Sequence, residues 1–360
     1  MQMPEGHIRM IEAVAAANPN TVVVLLCGAP VECAWADKVK GILYMGLPGQ
    51  AGGEAIANLL YGRTNPSGKL AESWPYAYDD VPSSGIYGRM KDALYAEGVY
   101  VGYRYYDKAG IAVRWPFGYG LCYTSFGYSN LSVVGRNVAV TVTNTGDRPG
   151  AEVVQLRIGA LQNGVHRPVR ELKRFCKVFL QPGESRTVSF KLDDRCFALW
   201  QDGWKVPGGV YTVQIADLSA GIEVEGDPVT IPAWQANSWY ATCQGKPTQS
   251  DWERMTGRTY TAPVLKKGSF TMDNTVLEMM DDSLIMRLMA KVTEQIIARS
   301  NGGKVDYENP EFRMMINASL GGPLRSMQIS GAVRGGIFPG LLDMANGHVF
   351  RGLWRMITNR

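Results

Sequence analysis

The run Thr21-Val22-Val23-Val24-Leu25-Leu26 is apolar or β-branched at every position. A strand of that kind has two hydrophobic faces, so it needs helices on both sides and neighbouring strands on both edges. Its surroundings fit a layered α/β structure. Residues 5–18 are predicted to form a helix with Ile8, Ile11, Val14 and Ala15 on one face, closed by Asn18-Pro19. A short helix near Val31–Lys38, a second apolar run over Gly41–Gly46 and a helix over Gln50–Tyr61 continue the alternation. Residues 1–75 hold only two or three strands, whereas a complete doubly wound sheet has roughly five or six. This first domain is therefore expected to be partial.

Residues 76–125 are rich in Tyr and Gly with little periodicity, which predicts a long connecting segment. From Phe126 to about Ile231 the pattern becomes short and alternating. Strands are expected at Leu131–Thr143, Ala151–Ile158, Leu172–Leu180, Ser185–Leu192 and Val210–Ile215. Turn signals stand at Asn144-Thr145-Gly146, Asn163-Gly164, Pro182-Gly183, Asp202-Gly203 and Pro207-Gly208-Gly209. Evenly spaced short strands predict an antiparallel sandwich. The Cys…Trp…Cys spacing of antibody domains is missing, so the fibronectin type is favoured.

Residues 233–270 read as a loop-rich linker. Asp273 is positioned to cap a helix running to about Ser300, with Leu277, Met280, Leu284, Leu288, Val292 and Ile296 on one stripe. The remaining Gly- and Met-rich stretch predicts short helices, and no sequence repeat is present. The expected fold is thus multidomain, α/β plus all-β. Its segments are a partial α/β sandwich domain over 1–80, a connecting segment over 81–125 and a fibronectin type III-like sandwich over 126–232. A linker over 233–270 and a mainly helical tail over 271–360 complete it.

A hydrophobic fraction of 46% against 19% charged residues argues for a globular core and against disorder. The net charge is only +4 and the basic residues are scattered, which argues against nucleic-acid binding. The six cysteines at 27, 33, 122, 176, 196 and 243 form no C-x-x-C pair and match no zinc spacing. They read as small buried hydrophobes, and free thiols suit a reducing cytoplasm. The start MQMPEGH lacks the pattern of a signal peptide, and no run approaches the ~20 apolar residues needed to span a bilayer. A cytoplasmic protein is expected.

Several long motifs stand in order along residues 1–231. They are NPNTVVVLLCGAPVE, YMGLPGQAGGEAIANLLYGRTNPSGKLAESWP and YAEGVYVGYRYYDKAGIAVRWPFGYGLCYTSFGYSNL, followed by TVTNTGDRPGAEVVQLRI, RPVRELKRFCKVFLQPGES and VPGGVYTVQIADLS. Together they resemble the C-terminal region of family 3 glycoside hydrolases of the β-glucosidase type. Residues 234–360 resemble an extra tail of some bacterial members. The resemblance implies a retaining β-glycosidase acting on β-glucosides or oligosaccharides, with two carboxyl groups about 5–5.5 Å apart across the bond. In the family the nucleophile is an Asp on an N-terminal (β/α)8 barrel, and the acid/base Glu lies upstream of the PEG-like motif that corresponds to Pro4-Glu5-Gly6. No eightfold pattern and no K-H-F motif occurs here. Neither role carries over, so no catalytic, cofactor-binding or metal-binding residue is assigned. At Ala71 the family commonly has Pro.

The remaining candidates have structural readings. Glu97, among aromatics, is expected to pair with an Arg. Glu54 is a favourable charge at a helix start, and Asp79-Asp80 is a polar turn. Gly49, Gly52 and Gly53 lack the Lys-Ser/Thr of a phosphate loop and read as close helix–sheet packing. Ser67 lies in a turn and not in a G-x-S-x-G elbow. His7, His166 and His348 are too scattered for a metal site. Met279, Met280, Met286, Met289, Met314 and Met315 read as core, and Arg325, Arg334, Arg351, Arg355 and Arg360 as a solvated face. Alone, the chain is expected to hydrolyse nothing. The alternatives are a non-catalytic carbohydrate-binding or barrel-docking partner, and a homo-oligomer formed through the tail.

Overall fold

A computed structural model describes residues 1–87, 92–159, 165–262, 264–300, 302–329 and 335–358. The expected Asn163-Gly164 turn, Arg334 and Arg360 lie outside these. The chain divides into two compact units, Met1–Tyr260 and Thr261–Arg360.

The first unit opens with α1 (Glu5–Ala17), β1 (Val22–Leu25), β2 (Gly41–Tyr44) and α2 (Gly52–Leu60). The two strands pair in parallel, Val22 opposite Gly41 through Leu25 opposite Tyr44. One face, Val23, Leu25, Ile42 and Tyr44, packs with Ile11 of α1 and with Cys33, Trp35, Ala36 and Trp74. The other face does not share that core, and Val22 is half exposed. The expectation of burial on both faces is thus met on one side only, because the described sheet has two strands. The region expected as a helix over Val31–Lys38 is a single 3-10 turn, Ala36–Lys38.

The connecting segment contains two 3-10 turns, Tyr78–Asp80 and Pro82–Gly85, and α3 (Tyr103–Ala109). The sandwich follows as β3 (Phe126–Val134), β4 (Asn137–Asn144), β5 (Gly150–Gly159), β6 (Arg170–Leu180) and β7 (Ser185–Lys191). After a two-residue hairpin pair, β8 (Leu199–Trp200) and β9 (Trp204–Lys205), come β10 (Gly209–Ile215) and β11 (Leu218–Val224). Sheet β11-β10-β5-β6 faces sheet β3-β4-β7. Alternate residues of both, including Val138, Val140, Val142, Val154, Leu156, Ile158, Val213 and Ile215, form one buried core.

Two differences from the sequence reading have local causes. The stretch Leu131–Thr143 is a hairpin and not one strand. Gly135 at φ 55° opens a two-residue turn between Val134 and Asn137. Strand β11 was absent from the reading because its turn is Ala216-Asp217, with Ala216 held at φ 48°. An alanine at positive φ gives no turn signal.

Residues expected as a linker form α4 (Trp239–Thr242) and α5 (Gln249–Thr256). They fold back onto the connecting segment, burying Trp239, Tyr240 and Cys243 with Tyr100, Tyr105 and Tyr106. His166 sits edge-on within this aromatic cluster, 5.2 Å from Tyr100, 4.8 Å from Trp234 and 5.6 Å from Tyr240.

The second unit is helical: α6 (Val276–Met279), α7 (Leu284–Ser300), α8 (Pro310–Leu320), α9 (Leu324–Ile329), α10 (Ile337–Ala345) and α11 (Val349–Thr358). The cap is Thr275, in reciprocal hydrogen bonds with Glu278. Asp273 instead pairs with Arg325. The expected single helix breaks at Asp281-Asp282-Ser283, and this changes which face turns inward. Met286, Ala290 and Ile297 are buried with Phe312, Ile316, Leu320 and Leu324. The predicted stripe positions Leu284 (77%), Leu288 (62%), Val292 (51%) and Ile296 (57%) are exposed. Met279 and Met286 are core, Met280, Met289 and Met315 flank it, and Met314 is exposed. Arg351 and Arg355 do not form a merely solvated face, since both bind the buried carboxylate of Asp343. No helix among the described residues is long and apolar enough to cross a membrane.

Helices α10 and α11 meet at Gly340 and Gly352, where a Cβ on Gly340 would lie 2.6 Å from the Gly352 carbonyl oxygen. Gly352→Ala is therefore expected to destabilise the helical unit by about 1–3 kcal/mol, measured by denaturant unfolding of residues 261–360 within the full chain. Burial, aided by the charge of Lys108, pushes the His166 imidazole down from 6.5 to about 4. The unfolded chain thus binds the extra proton first. The stability concerned is fully present above pH 6.5 and is lost as pH falls through about 4. Relative to His166→Leu, the native chain is expected to lose on the order of 3 kcal/mol across that window, read from urea midpoints at each pH.

Candidate functional site

In parallel sheets the carboxyl ends of the strands are where ligands gather. Here those ends carry Cys27 and Tyr44, with Glu72 and Trp74 beside them. Trp74 is fixed by its Nε1 donating to the Val31 carbonyl at 2.6 Å and by a backbone bridge to Trp115. The rings of Tyr44 and Trp115 meet it edge-on at 5.0 and 5.4 Å. Arg114 extends the wall, pairing with Asp37 at 3.1 Å and lying 5.1 Å over the Tyr76 ring.

Glu72 was not among the sequence candidates. Desolvation raises its carboxyl above the ordinary range, with no neighbouring charge contributing. The charge of Glu72 in turn helps to raise Cys27 and Tyr44, after desolvation. Its only sequence signal is its place between the NPSGKL motif and Trp74. One carboxyl by itself cannot perform two-carboxyl chemistry.

The motif itself is structural. Asn65 donates to the Pro149 carbonyl at 3.0 Å and accepts from the Tyr123 amide at 2.7 Å. Lys69 donates to the Gly120 carbonyl at 2.9 Å and pairs with Glu152 at 3.0 Å. Ser67 is half-buried in a stretch with no assigned turn, helix or strand.

The other candidates disperse. Glu97 is half-buried and has no ion-pair partner among the described residues, so the expected Arg pairing is not found. Its charge instead contributes to raising the Tyr105 and Tyr106 hydroxyls, behind desolvation. Glu54 is exposed in the first turn of α2. Asp80 accepts from the Ala77 amide at 2.9 Å, and Asp79 pairs with Lys246. Gly52 is crowded by Pro48 of its own turn and not by a strand, while nothing lies within 4 Å of a Cβ on Gly49 or Gly53. Among the described residues no group of His, Cys, Asp and Glu could hold a metal ion. Cys33, Cys196 and Cys243 are buried, and burial pushes the Cys33 thiol up to about 11 and that of Cys243 to about 12.

Comparison with known proteins agrees with this geometry. The Glycosyl hydrolase family 3 C-terminal domain matches residues 1–103, and the Fibronectin type III-like domain matches residues 152–219. Thermostable beta-glucosidase B of Acetivibrio thermocellus is 38% identical over 339 residues, covering 91% of this chain and 40% of that protein. That alignment leaves under a tenth of the chain uncovered and so takes in most of the helical unit. An exo-alpha-(1->6)-L-arabinopyranosidase of Bifidobacterium breve is 45% identical over 248 residues, 64% of this chain and 33% of that one. The crystal structure of a family 3 beta-glucosidase from Bifidobacterium adolescentis superposes with a TM-score of 0.59 at 39% identity, covering 71% of this chain and 40% of the other. The chain thus spans about a third to two fifths of the relatives it matches. It belongs with the C-terminal portion of the family 3 glycoside hydrolases, a partial α/β domain followed by a fibronectin type III-like domain.

Proposed function

We propose that this chain is the C-terminal part of a retaining β-glycosidase, walling one side of a sugar pocket and bracing a (β/α)8 barrel. The reading rests on one observation: the strand pair β1–β2 keeps its second face, with Val22, Val24 and Leu43, outside the core that covers the first. An apolar sheet face of this kind is stable only when covered. In this reading no residue of the chain is the nucleophile or the acid/base, and Glu72 and Trp74 belong to the pocket wall. The boundaries at residues 80, 125, 232 and 270 are part of the same proposal.

The substrate class is a β-glucoside or oligosaccharide bound by the assembled enzyme. Relatives named for glucosides and for an arabinopyranoside match the chain with similar identity. The proposal therefore leaves the sugar to be selected mainly by the barrel. Six free cysteines favour the reducing cytoplasm, and the scattered basic residues favour no nucleic-acid partner.

The purified 360-residue chain, given a chromogenic β-glucoside, is expected to show no turnover above buffer. Clear release of the chromophore that survives repurification would refute the proposal.

We further propose that the helical unit supports self-association through the exposed row Leu284, Leu288, Val292 and Ile296, which repeats every four residues along α7. Light scattering is expected to give the full chain a mass of at least two 39.5 kDa chains and residues 1–260 the mass of one chain, and Leu288→Lys with Val292→Lys is expected to restore the monomer mass. Equal masses per chain would contradict it.

A further inference from the structure

Helix α11 is fastened by its small side and turns its large side chains outward. Gly352 is its buried residue, seated against Gly340 of α10, and Met356 one turn on is half-buried. A second arc holds Phe350, Leu353, Trp354 and Ile357, whose i, i+3, i+4, i+7 spacing puts them on one face. All four are exposed, Phe350 at 89% and Trp354 at 70%. The third arc carries Arg351 and Arg355, both exposed. Both bind Asp343, so a single carboxylate faces two guanidinium groups and leaves one positive charge over. From Ala345 to Arg360 the sequence contains Arg351, Arg355 and Arg360 and no Asp or Glu.

Size and charge decide what can cover this face. A contiguous apolar patch of this kind is a contact surface rather than an ordinary solvated one. A helix of ten residues is about 15 Å long, and a stable protein interface takes roughly 20–30 residues a side. Four side chains on one short helix fall far below that, so a second copy seated on this stripe alone is held too weakly. The same length is about half the roughly 30 Å hydrocarbon thickness of a bilayer. The helix therefore cannot cross a membrane, but it can lie along one. Large apolar residues on one face, arginines on the flank and no acidic residue are the composition of a helix that rests in a membrane surface. Trp settles at headgroup level, and the uncompensated positive charge favours anionic headgroups.

We propose that α11 docks flat on the surface of an anionic phospholipid bilayer, with Phe350, Leu353, Trp354 and Ile357 at the acyl boundary and the arginine flank among the headgroups. The attachment lies in the helical unit, and it depends neither on the barrel-bracing reading nor on association through α7.

Flotation of the full chain with large unilamellar vesicles tests this, using phosphatidylcholine alone and phosphatidylcholine with about one-third phosphatidylglycerol. At low salt the partition coefficient is expected to be at least about tenfold higher on the anionic vesicles, and to fall as salt is raised. Phe350→Glu with Trp354→Glu is expected to lower it at least about tenfold while leaving the urea midpoint and the light-scattering mass unchanged. Should that pair disturb the fold, Trp354→Ser alone is expected to weaken binding in the same direction. No flotation on anionic vesicles, equal flotation on both vesicle types, or unchanged flotation of a folded double variant would each overturn the proposal. So would a lipid-free mass that falls from two chains to one in the double variant, which would assign the face to a second copy.

Discussion

The ion pair between Lys69 and Glu152 is the contact on which the first unit depends. Lys69 belongs to the α/β part and Glu152 to β5, and both side chains are largely withdrawn from water at 16% and 11% exposure. A pair of this kind adds little net stability over an apolar packing, but removing one partner strands a charge, at a cost of about 3–5 kcal/mol. Tyr128 supplies a further donor to Glu152, and burial with that carboxylate pushes its hydroxyl well above the ordinary range. Asn65 adds hydrogen bonds to Pro149 and Tyr123. A motif that reads as a turn in sequence thus positions the strand pair against the sandwich.

That joint explains how an incompletely covered sheet can keep a defined shape. The core behind β1–β2 is small, and it is completed by Trp74 and Trp115 from beyond the strands. The sandwich has its own continuous core and needs no such help. The aromatic cluster around Tyr100, Trp239 and Tyr240 then ties the residues after the sandwich back to the connecting segment. The cluster leaves His166 neutral over the physiological range, which suits packing and not proton transfer.

Much of this was legible in the sequence. Period-two alternation with Gly and Pro turns located the sandwich, and the continuous run at Val22–Leu25 located the parallel strand. What was missed follows from physical causes that leave no local pattern. Ala216 turns the chain at positive φ without glycine, so β11 went unseen. The residues expected to be a linker gain their order from long-range aromatic contacts. In the helical unit the apolar stripe was correctly located along the helix but assigned to the wrong side, because the break at Asp281–Ser283 resets which positions turn inward. At the candidate site, Glu72 gave no signal beyond its place after the NPSGKL motif, since its desolvation depends on the fold around it.

We propose that no carboxyl in these 360 residues serves as a glycosidase nucleophile. Retaining enzymes form a covalent glycosyl intermediate, and a 2-deoxy-2-fluoroglucosyl fluoride makes that intermediate long-lived. Intact-mass measurement after incubation with this reagent is the direct test. The account requires an unchanged mass, whereas a single added fluoroglucosyl group mapped to an Asp or Glu of this chain would contradict it.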